Sequence, residues 1–184
     1  MSTNAISGNT GGDAEGDIFV GGTIENAVGS ANDDSIVGSV GVNNLQGGAG
    51  NDSIEGGAGA DVMNGSASTD TTRYVNATAS VTVSLATGTG TVGHASGDTL
   101  ANFENLRGSI YADTLTGSTG INTIWGGIGS DVISGGAGDD ILNGEDGDDT
   151  IEGGAGADTM DGGLGSNTLS YANSSTGVTL SLAT

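Results

Sequence analysis

The stretch from Gly126 to Ser170 reads, in groups of nine residues, GGIGSDVIS, GGAGDDILN, GEDGDDTIE, GGAGADTMD and GGLGSNTLS. Each nonapeptide begins with glycine, carries another glycine at position four and Asp or Asn at position six, and places Ile, Leu or Met at position eight. Glycine permits backbone angles that are closed to other residues, so positions one to six predict a tight turn that ends in a carboxylate. The last three positions are too few for a helix, and the apolar residue at position eight predicts a very short strand with one buried side.

One turn and one short strand make half of a coil, so two nonapeptides predict one complete 18-residue coil. Successive coils of a parallel stack lie about 4.8 Å apart. Position-six acids that are separated by two nonapeptides then lie on the same edge, where they repel each other unless a cation lies between them. Calcium fits such a site, because it accepts about 6–8 oxygen ligands from carboxylates and backbone carbonyls. The sequence therefore predicts an all-β fold, a parallel stack of 18-residue coils that binds several Ca²⁺ ions.

The composition limits the possible folds and partners. Of the 184 residues, 38 are glycine and none is proline or cysteine. A collagen triple helix is excluded, because it needs glycine at every third residue together with proline. The net charge of −21 argues against a nucleic acid or an anionic membrane as the partner. No apolar run approaches the ~20 residues of a membrane span.

The chain lacks the residue combinations of the common hydrolytic active sites. His94 is the only histidine and cysteine is absent, so neither an HExxH zinc site nor a Cys-His arrangement can form, and a Ser-His-Asp arrangement would depend on His94 alone. His94 stands in a segment rich in glycine and serine and is interpreted as a solvated side chain. We therefore predict that this chain is not itself an enzyme.

The nonapeptides fall into two blocks, residues 29–70 and 108–170, with an irregular β insert at 71–107. Alternating apolar residues in the insert predict longer strands, and Gly88 to Gly97 is predicted to be a loop. Residues 1–28 are interpreted as a polar lead-in with a weak cap. The segment from Gly65 has lost the other glycines of the pattern, so it is not expected to form a repeat turn.

A longer internal repeat accompanies the nonapeptides. Residues 74–87 match residues 171–184, which lie 97 positions later, so 171–184 is interpreted as the truncated start of a second insert and the chain as a piece of a longer protein. Residues 24–26 match residues 103–105, which lie 79 positions later. The two offsets differ by 18, so the second block has gained one complete coil. This gain supports the two-nonapeptide unit independently of the metal argument.

The pattern GGxGxDxUx, in which U is a large apolar residue, resembles the calcium-binding nonapeptide of the RTX, or haemolysin-type, family. The resemblance implies a right-handed parallel β-roll, a β-solenoid of two sheets, with Ca²⁺ in the turns between coils. It also implies type I secretion from a bacterial cell through an uncleaved C-terminal signal. The lack of an ordinary signal peptide in MSTNAISGNTGGD therefore does not argue against an extracellular location.

Transferred position by position, the resemblance predicts metal ligands that pair across two nonapeptides. The strongest pairs are expected to be Asp34 with Asp52, Asp113 with Asp131, Asp131 with Asp149, and Asp140 with Asp158. Asn offers a neutral oxygen, so the weaker pairs are Asn43 with Asp61, Asn122 with Asp140, and Asp149 with Asn167. Pairing of Asp52 with Asp70 is not expected. Asn32 and Tyr111 replace the position-four glycine in the first repeat of each block and are interpreted as caps with poorer metal geometry.

Three functions are compatible with this sequence. The leading hypothesis is a non-enzymatic, extracellular calcium-binding module that folds when it meets millimolar Ca²⁺. The second is an adhesin segment, in which the roll is a spacer and the insert binds a cell-surface or carbohydrate ligand. The third is a C-terminal accessory module of a secreted protease, lipase or alginate epimerase, whose catalytic residues would lie elsewhere in the parent chain.

Overall fold

The computed structural model describes residues 3–4, 19–20, 24–174, 177 and 179. In this part of the chain the fold is all-β, with short strands and a single 3₁₀ turn at Gly93–Ala95. The strands form the two parallel sheets of a β-solenoid, as predicted. Among the described residues there is no helix of the length and apolar character that would cross a membrane.

The chain alternates between a seven-stranded and a ten-stranded sheet. In spatial order the seven-stranded sheet contains β4 (Ser35–Val37), β6 (Ser53–Glu55), β8 (Thr71–Arg73), β12 (Asn105–Arg107), β14 (Thr123–Ile128), β16 (Ile141–Asp146) and β18 (Thr159–Asp161). The ten-stranded sheet contains β3 (Asn26–Val28), β5 (Asn44–Ala49), β7 (Val62–Ala67), β11 (Thr99–Ala101), β10 (Thr89–Val92), β9 (Thr82–Ser84), β13 (Thr114–Thr116), β15 (Val132–Ala137), β17 (Thr150–Ala155) and β19 (Thr168–Leu169).

Part of the lead-in forms a separate antiparallel pair, β1 (Thr3–Asn4) with β2 (Phe19–Val20). These four residues therefore do not form a coil of the parallel stack. The rest of the first 23 positions of the predicted lead-in lies outside the described residues, as does most of the predicted second insert after residue 174.

Neighbouring parallel strands within each block pair with an offset of two nonapeptides, for example Ile124 with Leu142 and Ile133 with Ile151. This register directs position eight of the nonapeptides into the roll. Ile54, Ile133, Leu142 and Ile151 are at most 3% exposed. The predicted 18-residue coil, with these side chains inside, is confirmed.

Several strands are longer than the three residues that the nonapeptide predicts. β14, β15, β16 and β17 have six residues each, because they continue through the first three positions of the next nonapeptide. Those positions still pair with the next coil, as Gly136 does with Gly154. The tight part of each turn is therefore confined to the last positions before the acid.

The insert belongs to the stack. β8 and β12 pair directly, so the seven-stranded sheet passes through the insert without a break. In the ten-stranded sheet the insert makes three strands where a regular coil has one. β9 pairs in parallel with β13, β10 runs antiparallel, and β11 pairs in parallel with β7.

Two expectations for the insert were wrong. The segment from Gly88 to Gly97 contains β10 and the 3₁₀ turn and is not simply a loop, and β9 has only three residues. The physical reason is that the neighbouring coils offer edge strands on both sides, which recruit short segments into pairing. The two extra strands add about 9–10 Å to the width of that sheet at this coil.

Candidate metal centre

Each coil contributes two turns, one on each edge of the roll. We define the seven-strand edge by the turns that lead into the seven-stranded sheet, and the ten-strand edge by those that lead into the ten-stranded sheet. The acids and amides that end these turns stack in two columns. The column on the seven-strand edge is Asp34, Asp52, Asp70, Glu104, Asn122, Asp140 and Asp158, and that on the ten-strand edge is Asn43, Asp61, Asp98, Asp113, Asp131, Asp149 and Asn167.

Apart from Asp34 and Asn43, at the start of the first block, each column side chain is fixed by the backbone of a neighbouring coil. Oδ1 of Asp131 accepts a hydrogen bond of 2.7 Å from the N–H of Asp113, and Oδ1 of Asp149 accepts one of 2.8 Å from the N–H of Asp131. The same contact, at 2.7–3.0 Å, joins all seven pairs that the 18-residue spacing predicts. The structure therefore brings these residues together, and their role as metal ligands stays a prediction.

The second carboxylate oxygen is buried and unpaired in the central coils. Each of the six aspartates concerned is at most 2% exposed, and its Oδ2 atom has no hydrogen-bond partner among the described residues. A buried carboxylate oxygen without a hydrogen-bond donor destabilises the folded chain. A cation or a proton bound to each of these atoms would remove that loss of stability. The six residues are Asp52, Asp61, Asp70, Asp131, Asp140 and Asp149.

Backbone carbonyls face the same oxygens. A Cβ atom on Gly126 would collide with Oδ2 of Asp131 and would lie 2.8 Å from the carbonyl oxygen of Gly144 in the next coil. The glycine at position one therefore keeps open a small space where a carboxylate oxygen and a carbonyl oxygen converge. Calcium prefers oxygen donors of these two kinds, so the residues present fit this ion.

Backbone oxygens must supply most of any ligand set in these columns. Within the described part of the chain, no group of three or more His, Cys, Asp or Glu side chains is arranged to hold a metal ion. Each turn contributes one column acid or amide. An ion that takes about 6–8 oxygens would therefore draw the remainder from the carbonyls of the turns.

Burial disfavours the ionised form of the column acids. The pKa of Asp131 is raised from the ordinary 3.8 to about 6, chiefly by burial and also by the charges of Asp113 and Asp149. Burial likewise raises the pKa of Asp52, Asp61 and Asp140. A cation beside these oxygens would favour their charged form, since opposite charge lowers a carboxyl pKa.

The turns fall into two classes, and the unpaired oxygens belong to one of them. In this class both position two and position four have a positive φ, as at Gly127 (112°) and Gly129 (132°). Within the described residues the class comprises the turns that begin at Gly47, Gly56, Gly65, Gly126, Gly135, Gly144, Gly153 and Gly162.

The other class opens each block and has serine at position two. The N–H of Ser109 donates to Oδ2 of Asp113 at 2.6 Å, and its Oγ accepts the N–H of Tyr111 at 3.0 Å. The same pattern recurs at Ser30, Ser39 and Ser118. Four predicted ligands therefore have a side-chain oxygen already bonded within their own turn, namely Asp34, Asn43, Asp113 and Asn122.

The expectation that Gly65 does not start a repeat turn was wrong. Ser66 and Ser68 have φ values of 84° and 88°, and Oδ1 of Asp70 accepts the N–H of Asp52 at 2.7 Å. Serine here adopts the left-handed conformation that glycine adopts in the other turns, because stacking against the previous coil fixes the backbone. The 18-residue offset of Asp70 from Asp52 was the signal that could have found it.

Two further column residues come from the insert and were missed. Oδ1 of Asp98 accepts the N–H of Asp61 at 2.8 Å, and Oε2 of Glu104 accepts the N–H of Asp70 at 2.9 Å. A weak signal existed, since Asp98-Thr-Leu repeats Asp113-Thr-Leu.

The acids at position five lie outside the columns. Asp139 and Asp148 are exposed, and each accepts a backbone N–H from the next coil at 2.7–2.8 Å. Asp33 makes the same contact with Asn51 at 2.7 Å. These acids brace the turns from outside.

Comparison with known proteins agrees with this geometry. The family model described as RTX calcium-binding nonapeptide repeat (4 copies) matches residues 37–71, 107–142 and 134–169. The matched ranges together cover more than half of the chain. A search of the curated proteins finds no match. The RTX repeat is a structural calcium-binding unit, and this chain, a β-roll built from stacked copies of it, belongs to the family of RTX calcium-binding nonapeptide repeats.

Proposed function

We propose that the chain is an extracellular calcium-binding module that folds on binding Ca²⁺, within a larger bacterial protein exported by type I secretion. The observation that carries the proposal is the set of buried, unpaired Oδ2 atoms beside glycine-turn carbonyls. A calcium ion between consecutive turns would give each of these oxygens a partner. It would also tie one coil to the next.

The proposed ligands divide into three groups by their place in the columns. Asp52, Asp61, Asp131, Asp140 and Asp149 offer unpaired carboxylate oxygens to ions in the central coils. Asp158 and Asn167 continue the columns at the far end of the second block. Asp34, Asn43, Asp113 and Asn122 begin the columns, and there the serine turns leave mainly backbone oxygens for an ion.

The dependence of folding on calcium follows from charge. The chain carries −21, and its buried acids stack along two edges, so both the net charge and the local repulsion oppose compaction. Each nonapeptide buries only one large apolar side chain in return. Calcium would neutralise the columns, and metal binding and folding would form one equilibrium. Because each coil templates the next, the transition should be cooperative.

Circular dichroism with chelator, with Ca²⁺ and with Mg²⁺ at equal concentration tests this proposal. We expect an expanded, mostly unstructured chain in chelator and a cooperative gain of β signal with Ca²⁺. Mg²⁺ should substitute poorly, because it prefers octahedral geometry at about 2.0–2.1 Å and sheds water reluctantly. A chelated chain with the full β spectrum and the same melting temperature would contradict calcium-dependent folding.

The reading frame of the parent gene tests the proposed setting. We expect further domains in the same frame and an uncleaved C-terminal secretion signal. A frame that encodes a cleavable N-terminal signal peptide would contradict type I export.

A further inference from the structure

We propose an additional calcium site at the coil where the insert rejoins the roll, formed by Asp70, Glu104 and the backbone carbonyl of Asn102. The inference rests on the calcium-binding function proposed above. Asn102 and Glu104 lie outside the residues that the family model matches. The Asp70 turn carries serine at positions two and four, where the nonapeptide has glycine.

Asp70 supplies the unpaired oxygen. Its side chain is fully buried, at 0% exposure. Oδ1 accepts the N–H of Asp52 at 2.7 Å, which fixes the orientation of the carboxylate, and Oδ2 has no hydrogen-bond partner among the described residues. The oxygen is therefore held in the same state as those of the regular turns.

Asn102 supplies the carbonyl that the next repeat turn would otherwise provide. A Cβ atom on Gly65 would lie 2.6 Å from Oδ2 of Asp70 and would collide with the carbonyl oxygen of Asn102. At Gly47, one coil earlier, the corresponding carbonyl is that of Gly65, at 2.7 Å. Asn102 reaches this position with a φ of 54°, which is uncommon for a residue other than glycine.

Glu104 supplies the second carboxylate. Its Oε2 atom accepts the N–H of Asp70 at 2.9 Å, the contact that position-six aspartates make elsewhere in the columns. Two carboxylates and a carbonyl from two successive coils thus lie at the same place on the seven-strand edge. The pKa of Asp70 is raised chiefly by burial and also by the charge of Glu104, and two such negative charges in adjacent coils favour a divalent cation between them.

The opposite edge of the same coil shows a different arrangement. Oδ2 of Asp98 accepts a hydrogen bond of 3.0 Å from the hydroxyl of Tyr74. The three heavy atoms nearest to a Cβ on Gly56 all belong to Asp61, so no carbonyl of the next coil is among them. On the ten-strand edge of the insert coil, the phenol of Tyr74 therefore gives Oδ2 of Asp98 a hydrogen-bond donor. On the seven-strand edge, Oδ2 of Asp70 has no donor among the described residues and can bind a cation.

Equilibrium dialysis against Ca²⁺, with the ions counted per chain, tests the site in two variants. At a calcium concentration that just saturates the wild-type chain, we expect Glu104→Gln to bind one ion fewer, and Asp70→Asn, which also adjoins Asp52, to bind at least one ion fewer. Asp33→Asn removes one exposed charge from the same block and leaves the columns intact. This control should retain the wild-type count. Circular dichroism at saturating Ca²⁺ verifies that each variant is folded. If Asp70→Asn does not fold, Glu104→Gln alone tests the site.

The outcomes separate the two proposals. The wild-type chain binds calcium if the proposed function is correct. If the folded Glu104→Gln variant then binds as many ions as Asp33→Asn, the additional site is overturned and the proposed function stands. Loss of an ion from Asp33→Asn as well would also overturn the site, because the loss would not be specific to the column acids. A wild-type chain that binds no calcium would contradict the proposed function itself.

Discussion

The hydroxyl of Tyr74 donates a hydrogen bond of 3.0 Å to Oδ2 of Asp98, and both side chains are 1% exposed. Asp98 stands in the column next to Asp61, whose own Oδ2 is unpaired among the described residues. Tyr74 directly follows β8, at the point where the chain leaves the regular coil. Tyr74, near the start of the insert, thus donates a hydrogen bond to the buried carboxylate of Asp98 in the same insert.

Removing that phenol hydroxyl should destabilise the calcium-loaded protein. In Tyr74→Phe the buried Oδ2 of Asp98 loses its donor, which we expect to cost about 1–3 kcal/mol of unfolding free energy. Urea unfolding at saturating Ca²⁺ measures the loss. Tyr111→Phe is the matched control, because Tyr111 is 40% exposed and its change should stay within about 0.5 kcal/mol. Equal losses in the two variants would contradict the role given to this hydrogen bond.

Loss of a column acid should cost more ions inside a column than at its end. Asp131 is bonded to both neighbouring coils, through its carboxylate to Asp113 and through its N–H to Asp149. Asp131→Ala should therefore weaken two sites, whereas Asp158→Ala should weaken chiefly one. Isothermal titration with Ca²⁺ compares the two variants. An equal loss of ions would argue against ions stacked between successive turns.

The position-four glycines should differ in their tolerance of alanine according to turn class. Gly138 has a φ of 113°, and a Cβ there would lie 2.8 Å from the backbone of Gly120 in the previous coil. Gly138→Ala should cost at least the roughly 1–2 kcal/mol of a left-handed alanine. Gly120, in a serine turn, is outside the left-handed region, and its Cβ would meet nothing closer than 3.8 Å.

Thermal unfolding of the two variants at saturating Ca²⁺ measures this difference. Gly120→Ala should melt close to the wild-type temperature and Gly138→Ala clearly below it. If both substitutions were tolerated equally, the two turn classes would not differ in the way the backbone angles indicate.

Low pH should partly substitute for calcium in promoting the folding of the chain. Burial raises the pKa of Asp131 and of Asp98 from 3.8 to about 6, so the folded chain binds these protons more tightly than the unfolded chain does. Above about pH 6 both groups are ionised, and their burial reduces the stability of the folded chain by its full amount. This loss of stability disappears as the pH falls towards 3.8 and the groups are protonated. The metal-free chain should therefore gain β signal on acidification through this window.

Circular dichroism in buffers freed of metal by a chelating resin follows this transition. Asp131→Asn should show a smaller dependence on pH, since one of the two titrating groups is gone. Calcium affinity should fall over the same window, because protons compete for the same oxygens. A metal-free chain that gains β signal as the pH rises would have the opposite sign and would contradict the assignment.

The sequence by itself determined the regular coils. Glycine, the acid and the apolar residue recur at fixed places, so each nonapeptide forms the same turn and strand, and an 18-residue offset follows from two of them. All seven predicted column pairs lie within hydrogen-bond distance for this reason, and Ile54 and Leu142 are buried as predicted. Local sequence is sufficient here because every contact joins a residue to its own equivalent one coil away.

Only the tertiary structure decided the insert and the state of each carboxylate. Asp98 and Glu104 join the columns through contacts with residues 37 and 34 positions earlier in the sequence. The nonapeptide period does not predict these separations. Ser66 adopts a positive φ because pairing with Gly48 of the previous coil holds its backbone, which a local propensity could not foresee. Whether a buried oxygen meets a serine N–H, a tyrosine hydroxyl or no protein donor depends on which chain segment lies against it, and the fold alone sets that arrangement.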